Sequence, residues 1–414
     1  MLSNDRLNRS YMVLLYGALG FGGSLYSVLV TSAVIFSALK LVAGRLRDEP
    51  APEIVTMAVA GLAYYASGLL IIVTNPGDAG NYPLAVERLL FIGFLPLYLQ
   101  IALLNKEQLR ESLEIGAAIG AAGVATWALI QWSLRPYETY YFRASGAPGN
   151  PGPFATTCAL LLTVCLMAAV RSAKTRRRAI FLVASVLAAL ALMLTGMRTL
   201  YPALLLLPLL IIFLSGDAKT LLRRRGAVWT IGTMILVLMP VGGLVLYWRL
   251  SQLFQMIDLS GFAPSATNSL GQRIALLTCA YEGFLESPLF GMGRADAYEF
   301  MAACSRNLVG ETLQFSHFHN ALATAAAFGG LVEISAMLAM LLVPLYWCWH
   351  HRQDPARRYG VVLILSILTV YGLNGTSNLM LGHDIHDALF VHLMAVGFVL
   401  LAGETATARR RQAA

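Results

Sequence analysis

The stretch FHNALATAAAFGGLVE, residues 318–333, sets an imidazole and a carboxamide at the mouth of an apolar run that continues to Trp349. With an ordinary pKa near ~6.5, His319 has a neutral form that accepts a proton at physiological pH, which is general-base chemistry. Asn320 beside it either caps the helix or orients a hydroxyl group. The small residues that follow let neighbouring helices approach closely. A second candidate is Arg198 in TGMRTLYP, where a very short turn between two apolar spans holds a guanidinium at the membrane boundary. A charge that close to hydrocarbon is costly and ordinarily has a partner or a task. Guanidinium groups meet phosphate or carboxylate through two parallel hydrogen bonds, so the chemistry suggested is proton transfer beside a bound anion.

Such groups cooperate only if the chain brings them to one side of a membrane. Composition establishes the membrane: 57% of the 414 residues are hydrophobic and only 13% are charged, against roughly 25% charged in soluble domains, and mean hydropathy is +0.66. Several apolar stretches reach the ~20 residues that cross a ~30 Å core as helix, which fits a helical bundle and not a barrel of short alternating strands. The expected fold is all-α and polytopic, one domain over residues 1–414. About twelve spans are expected, near 11–24, 26–41, 54–74, 86–104, 112–133, 153–171, 179–197, 199–215, 226–247, 318–349, 359–378 and 386–403, by length and hydropathy. The GFGGS break at 20–24 divides the first apolar stretch into a hairpin whose two flanks are both basic. The polar start, with no small-residue site after the first apolar run, implies no cleaved signal peptide.

Basic loops concentrate in the cytoplasm. RSAKTRRR (171–178), KTLLRRR (219–225), HHRQDPARR (350–358) and the tail RRR (409–411), with Lys106 and Arg110, mark the inner side and place both termini there. Every lysine falls inside. The basic residues left outside are all arginine: Arg88, Arg135, Arg143, Arg198, Arg249, Arg273, Arg294 and Arg306. Of these, Arg135, Arg249 and Arg306 read as ordinary loop residues. The outer face also carries a Gly- and Pro-rich segment at 134–153 and a long loop at 249–317, a length that usually signals function. Within that loop SLGQRIALLTCAYEGFLES (269–287) reads as an amphipathic helix with Arg273 in its first turn, closed by Pro288 and FGMG. Its stripe of Ile274, Leu277, Tyr281 and Phe284 is expected to rest on the bundle or the membrane surface. Among the cysteines only Cys279 and Cys304 share the outer side; a disulfide between them is open, and packing is the plainer reading.

Three segments in this order resemble the O-antigen ligase family, which shares its polytopic domain with O-antigen polymerases and some protein O-oligosaccharyltransferases. His319-Asn320, nine residues and then Gly330 are similar to the family signature, although Glu333 stands where that signature carries Gly, Thr or Tyr. RASGAPGNPGPFA (143–155) resembles the family's Arg-x-x-Gly plus Asn-Pro loop, and Arg198 and Arg273 resemble its arginine pair. The resemblance implies transfer of a glycan from undecaprenyl diphosphate to lipid A core in the periplasm, at the bacterial inner membrane, with no cofactor, nucleotide or obligate metal. It also implies roles. Arg198 and Arg273 hold the diphosphate, with Arg88 and Arg143 as helpers; Asn150 and Asn320 lie in the binding motifs; and His319 takes the proton from the attacking hydroxyl in an inverting displacement.

A metal-dependent route would need acidic ligands. The outer face offers an isolated Asp78 and the cluster GHDIHD (382–387), whose mixed His and carboxylate side chains suit zinc or manganese but read more plainly as loop residues. An O-antigen polymerase differs only in its acceptor. A transporter of lipid-linked sugars would gather its polar groups near the bilayer midplane and show repeated halves, neither of which this sequence does.

Overall fold

The computed structural model describes residues 4–21, 23–46, 49–76, 79–135, 142–214, 232 and 263–402. The expected span 226–247, Arg249, Asp78 and the first part of the long loop lie outside these residues. What is described is all-α, with nine helices long and apolar enough to cross a membrane.

The hairpin at the start forms as the glycine break suggests: α1 (Asn4–Ala18) and α2 (Ser24–Val42) flank it. α3 (Pro52–Thr74) begins with proline at its first position, where the missing N–H costs nothing. The next crossing, residues 79–101, is not one regular helix. Pro83 and Pro96 divide it into a 3-10 turn at Ala79–Asn81, α4 (Pro83–Glu87), a second 3-10 stretch at Arg88–Gly93 and α5 (Phe94–Ile101). α6 (Lys106–Ser133) packs along α1 through Gly116 and Gly120, spaced as a small-residue contact. A Cβ at either glycine would come within 2.5 Å and 2.7 Å of Tyr16.

α7 (Pro151–Arg171), α8 (Thr175–Leu194), a 3-10 turn at Arg198–Leu200 and α9 (Ala203–Leu214) follow. The outer segment contributes α10 (Ser269–Glu286) and α11 (Arg294–Val309), and the chain returns through α12 (Ala321–His351), α13 (Arg358–Gly375) and α14 (Asp384–Leu401). α7 and α14 are the central posts: 94% of each apolar window is buried, against 22% for α2 at the periphery.

The two ends of the bundle differ in charge. At one end Glu114 takes Arg171 and Arg177, both at 3.2 Å, and Glu53 takes His351 at 2.9 Å and Arg357 at 3.1 Å. Arg9 pairs there with Glu111, Lys40 donates to Gln100 at 2.8 Å, and Lys106 reaches the carbonyl of Ala402. The start of α1 and the finish of α14 lie at this basic end. The opposite end gathers the starts of α7, α10, α12 and α14 and the finishes of α6, α8 and α13.

Candidate functional site

Three helices that open on this end are capped by asparagine. Asn150, Asn268 and Asn320 accept from the backbone N–H of Gly152 (3.0 Å), Gly271 (2.7 Å) and Ala323 (3.0 Å) in turn, which satisfies donors that a helix start leaves bare. Asn320 also donates to the Thr376 carbonyl at 3.3 Å. Of the two readings for Asn320, the structure therefore supplies the cap, and Asn150 has the same task in α7.

His319 stays outside the helix. Its φ of 51° is the one left-handed value at a non-glycine residue among the described residues. The neighbours on either side hold it there. Phe318 is fully buried and its N–H donates to the Thr324 hydroxyl at 3.1 Å, while Thr324 donates to the Asn320 carbonyl at 2.7 Å. The imidazole meets Phe315 and His317 edge to face, each with ring centroids 4.6 Å apart. Burial, followed by the charge of Arg273, lowers the His319 pKa from its ordinary value, opposed by a hydrogen bond to the Ser377 backbone. The ring is consequently neutral at pH 7. His317, which the sequence reading passed over, is pushed down to about 4 by burial and by His319; its signal was the pattern HFH.

Arg273 lies in the first turns of α10, as expected, and its own pKa is lowered by desolvation and then by the like charge of Arg143. Arg143 packs against the turn that carries Arg198: its Cγ lies 3.2 Å from where a Cβ on Gly196 would stand, and the N–H of Ala144 donates to the Leu194 carbonyl at 2.9 Å. Gln131 clamps the same loop by accepting from Ser145 and Gly146 at 3.0 and 2.9 Å. His319, Arg273, Arg143 and the 196–198 turn thus follow one another around the rim. Neither Arg143 nor Arg273 makes an ion pair among the described residues, so their charge is not neutralised by a carboxylate there.

Among the described residues, Arg88, Arg294, Arg135 and Arg306 are committed elsewhere. Arg88, expected as a helper at the diphosphate, lies outside this group; it is 3% exposed, pairs with Glu333, donates to the Ser67 hydroxyl at 2.9 Å and lies over the Tyr64 ring at 4.6 Å. Arg294 holds Glu87 at 2.8 and 2.9 Å. Arg135 stacks on Trp132 and Arg306 donates to Thr312 at 3.0 Å. Glu333, the departure from the family signature, is therefore the partner of Arg88. In the GHDIHD segment, His383 lies 2.9 Å from Asp384 and Asp387 accepts from the Gly382 N–H at 2.9 Å, contacts that shape the start of α14. Among the described residues no three His, Cys, Asp or Glu side chains converge as a metal site.

Two devices hold the helix bearing Arg273: one ties it to α11, and the other pairs the segment after it with α12, the helix that follows His319. Cys279 and Cys304 are joined by a disulfide, so the plainer packing reading gives way; it ties α10 to α11. The second is a break in α12. Gly330 has φ 59° and ψ −150°, and segment 288–293 inserts its backbone into the gap. Leu331 and Val332 donate to the carbonyls of Pro288 and Leu289 at 2.8 and 3.2 Å, and Met292 and Gly293 donate to Ala327 and Phe328, both at 3.0 Å. Backbone groups freed by the break are thereby paired without water, as a membrane-embedded interruption requires. Glycine is needed on both strands of the contact: a Cβ on Gly330 would stand 2.5 Å from the Pro288 carbonyl, and one on Gly291 2.4 Å from the Gly329 nitrogen. Of the two resting places expected for the α10 stripe of Ile274, Leu277, Tyr281 and Phe284, the bundle is taken by a different set of residues. Ala275, Leu276, Cys279, Ala280 and Gly283 form its buried face, whereas Leu277 and Tyr281 are 42% and 64% exposed. Small residues face inward because the disulfide and the inserted segment bring backbones close.

Residues 183–334 match the family model for O-antigen ligase, a stretch that contains Arg198, Arg273, His319 and Gly330 and leaves Arg143 and Asn150 outside it. No curated protein matches the chain.

Proposed function

We propose that this multi-pass membrane protein is an O-antigen ligase, which transfers a glycan from undecaprenyl diphosphate to lipid A core at the periplasmic face of the bacterial inner membrane. The observation that carries the reading is the run of His319, Arg273 and Arg143 along one end of the bundle, ending at the turn of Arg198. A neutral imidazole accepts the proton of an acceptor hydroxyl as its oxygen bonds to the anomeric carbon. The bond from that carbon to the diphosphate breaks, and the leaving group departs with the electron pair and added negative charge. Guanidinium groups remain protonated and meet that charge, while the base contributes roughly 10²–10⁴-fold. One displacement inverts the anomeric centre, and the chemistry assigned to these side chains calls on no cofactor.

Sidedness has two supports. The basic end, with its lysines, suits the cytoplasm, and the Cys279–Cys304 disulfide at the other end suits an oxidising compartment. The family match supports ligase or polymerase chemistry alike, so the test varies the acceptor. Purified protein given lipid-linked glycan and lipid A core is expected to form the conjugate; product formed only with a second lipid-linked glycan would make it a polymerase, and none with either would overturn the transferase reading.

A further inference from the structure

α10 is apolar on two sides. Its inner side, with Ala275, Leu276, Cys279 and Ala280, shares one buried cluster with Phe318, Ala327 and Phe328 at the outer end of α12. Its outer side carries Leu277, Tyr281 and Leu285 in successive turns, all exposed, and the row runs on past the helix through Leu289 and Phe290, 57% and 39% exposed. Polar groups keep off this row. The Thr278 hydroxyl donates to the Ile274 carbonyl at 3.0 Å, and Glu282, 3.5 Å from the Cys304 sulfur, lies toward α11 with Glu286 one turn further on the same flank. A helix standing in water is polar opposite its packed face, whereas one that is apolar on both faces is ordinarily enclosed by protein or lipid. A continuous exposed apolar row marks an interaction surface.

Depth decides the partner. Gly330 is the tenth residue of α12, about 14 Å along the axis from the first at a rise of ~1.5 Å per residue. The headgroup layer of one leaflet is only ~5–8 Å thick, so the break in α12 lies below it, within hydrocarbon. Pro288 and Leu289 are bonded to Leu331 and Val332 across that break, which puts the foot of α10 at the same depth. Its head is at the rim, where Arg273 bears on His319. Leu331, 47% exposed on the flank of a helix that crosses the membrane, adjoins the lower end of the row. The apolar row of α10 is thus continuous with a lipid-facing surface.

We propose that α10 is a half-submerged helix: it slants from the rim into the leaflet at this end of the bundle, and Leu277, Tyr281, Leu285, Leu289 and Phe290 rest against the hydrocarbon of that leaflet. The proposal stands on the membrane-spanning fold and not on the transferase reading. Lipid contact along the row sets the height of the whole helix. Arg273, in its first turns, is thereby held among the lipid headgroups.

The test measures depth in the full-length protein in phosphatidylcholine nanodiscs. Cys158, Cys165 and Cys348 are changed to alanine and the disulfide is kept. A nitroxide is then attached through Leu277→Cys, Tyr281→Cys, Leu285→Cys or Leu289→Cys in turn, with Asn307→Cys, exposed on α11, as the reference in water. Oxygen, which concentrates in hydrocarbon, should relax the spin more than a water-soluble nickel chelate does at positions 281, 285 and 289, with the ratio rising from 277 to 289 and reversed at 307. Relaxation dominated by the chelate along the row places it in water and overturns the proposal. Protection from both agents means that protein covers the row, a second copy of this chain or another partner, and overturns it equally. The wild-type chain gives a reading free of any substitution: Tyr281 should resist hydroxyl-radical oxidation in nanodiscs, and oxidation as fast as that of free tyrosine would show it facing water. None of these outcomes touches the assignment of the transferase, which is tested by its acceptors.

Discussion

The charge of Arg273 bears on the imidazole of His319 across forty-six residues of sequence, and after burial it is the largest influence that lowers the pKa of that ring. The pairing has a use in each direction. A cation beside the base keeps it unprotonated, and a base beside the cation places the proton acceptor next to the group that would hold the diphosphate.

The pH dependence follows from that neighbour. A base whose pKa is lowered stays competent to a lower pH, and activity is lost as pH falls through the lowered value, below the ordinary 6.5. Arg273→Gln removes the second cause of the shift, so the acid limb of kcat/KM should move up toward 6.5 in addition to any loss of rate. A limb that stays where wild type has it would separate Arg273 from the base.

His319→Ala should reduce transfer by about 10²-fold or more while leaving insertion and the yield of folded protein intact, since the helix that follows keeps its Asn320 cap. Transfer at the wild-type rate, measured on purified protein, would remove the imidazole from the chemistry.

Arg198→Lys tests fork geometry. Lysine keeps the charge and loses the planar pair of donors, so its kcat/KM should fall nearly as far as that of Arg198→Ala. Turnover by the lysine form close to wild type would leave a point charge as sufficient.

The disulfide predicts a labelling pattern. Unfolded without reductant, the protein should expose three of its five cysteines to maleimide, Cys158, Cys165 and Cys348, and all five after reduction. Cys279→Ser should lower stability by about 2–4 kcal/mol, read as a reduced melting temperature. Five labelled cysteines without reductant would mean that the tie does not form.

Gly330→Ala forces a Cβ into the inserted 288–293 segment at a left-handed φ. Protease sensitivity of the α10–α11 region should rise and transfer should fall together, because that insertion aligns Arg273 with His319. Wild-type behaviour in both would show the break to be dispensable.

Some of this architecture is local and is legible in the order of residues. Runs of apolar side chains set the crossings, the GFGGS break makes the first hairpin, and asparagine followed by an apolar run marks the start of α7, α10 and α12, since each depends on neighbours within a turn or two. The segregation of lysine from the lone arginines likewise separates the two ends of the bundle. Sidedness groups Arg88 with the other arginines, whereas in the fold it is paired with Glu333.

What sequence could not decide is which arginines are spoken for. Glu333 lies 245 residues from Arg88 and Glu87 lies 207 from Arg294, and Coulomb attraction depends on distance in space, not along the chain. Only the folded arrangement shows two guanidiniums captured by carboxylates and two others, Arg143 and Arg273, without one among the described residues. The break at Gly330 belongs to the same class: a helix interrupted in an apolar run is stable only if another segment pairs its freed backbone groups, and the partner segment is supplied by tertiary packing.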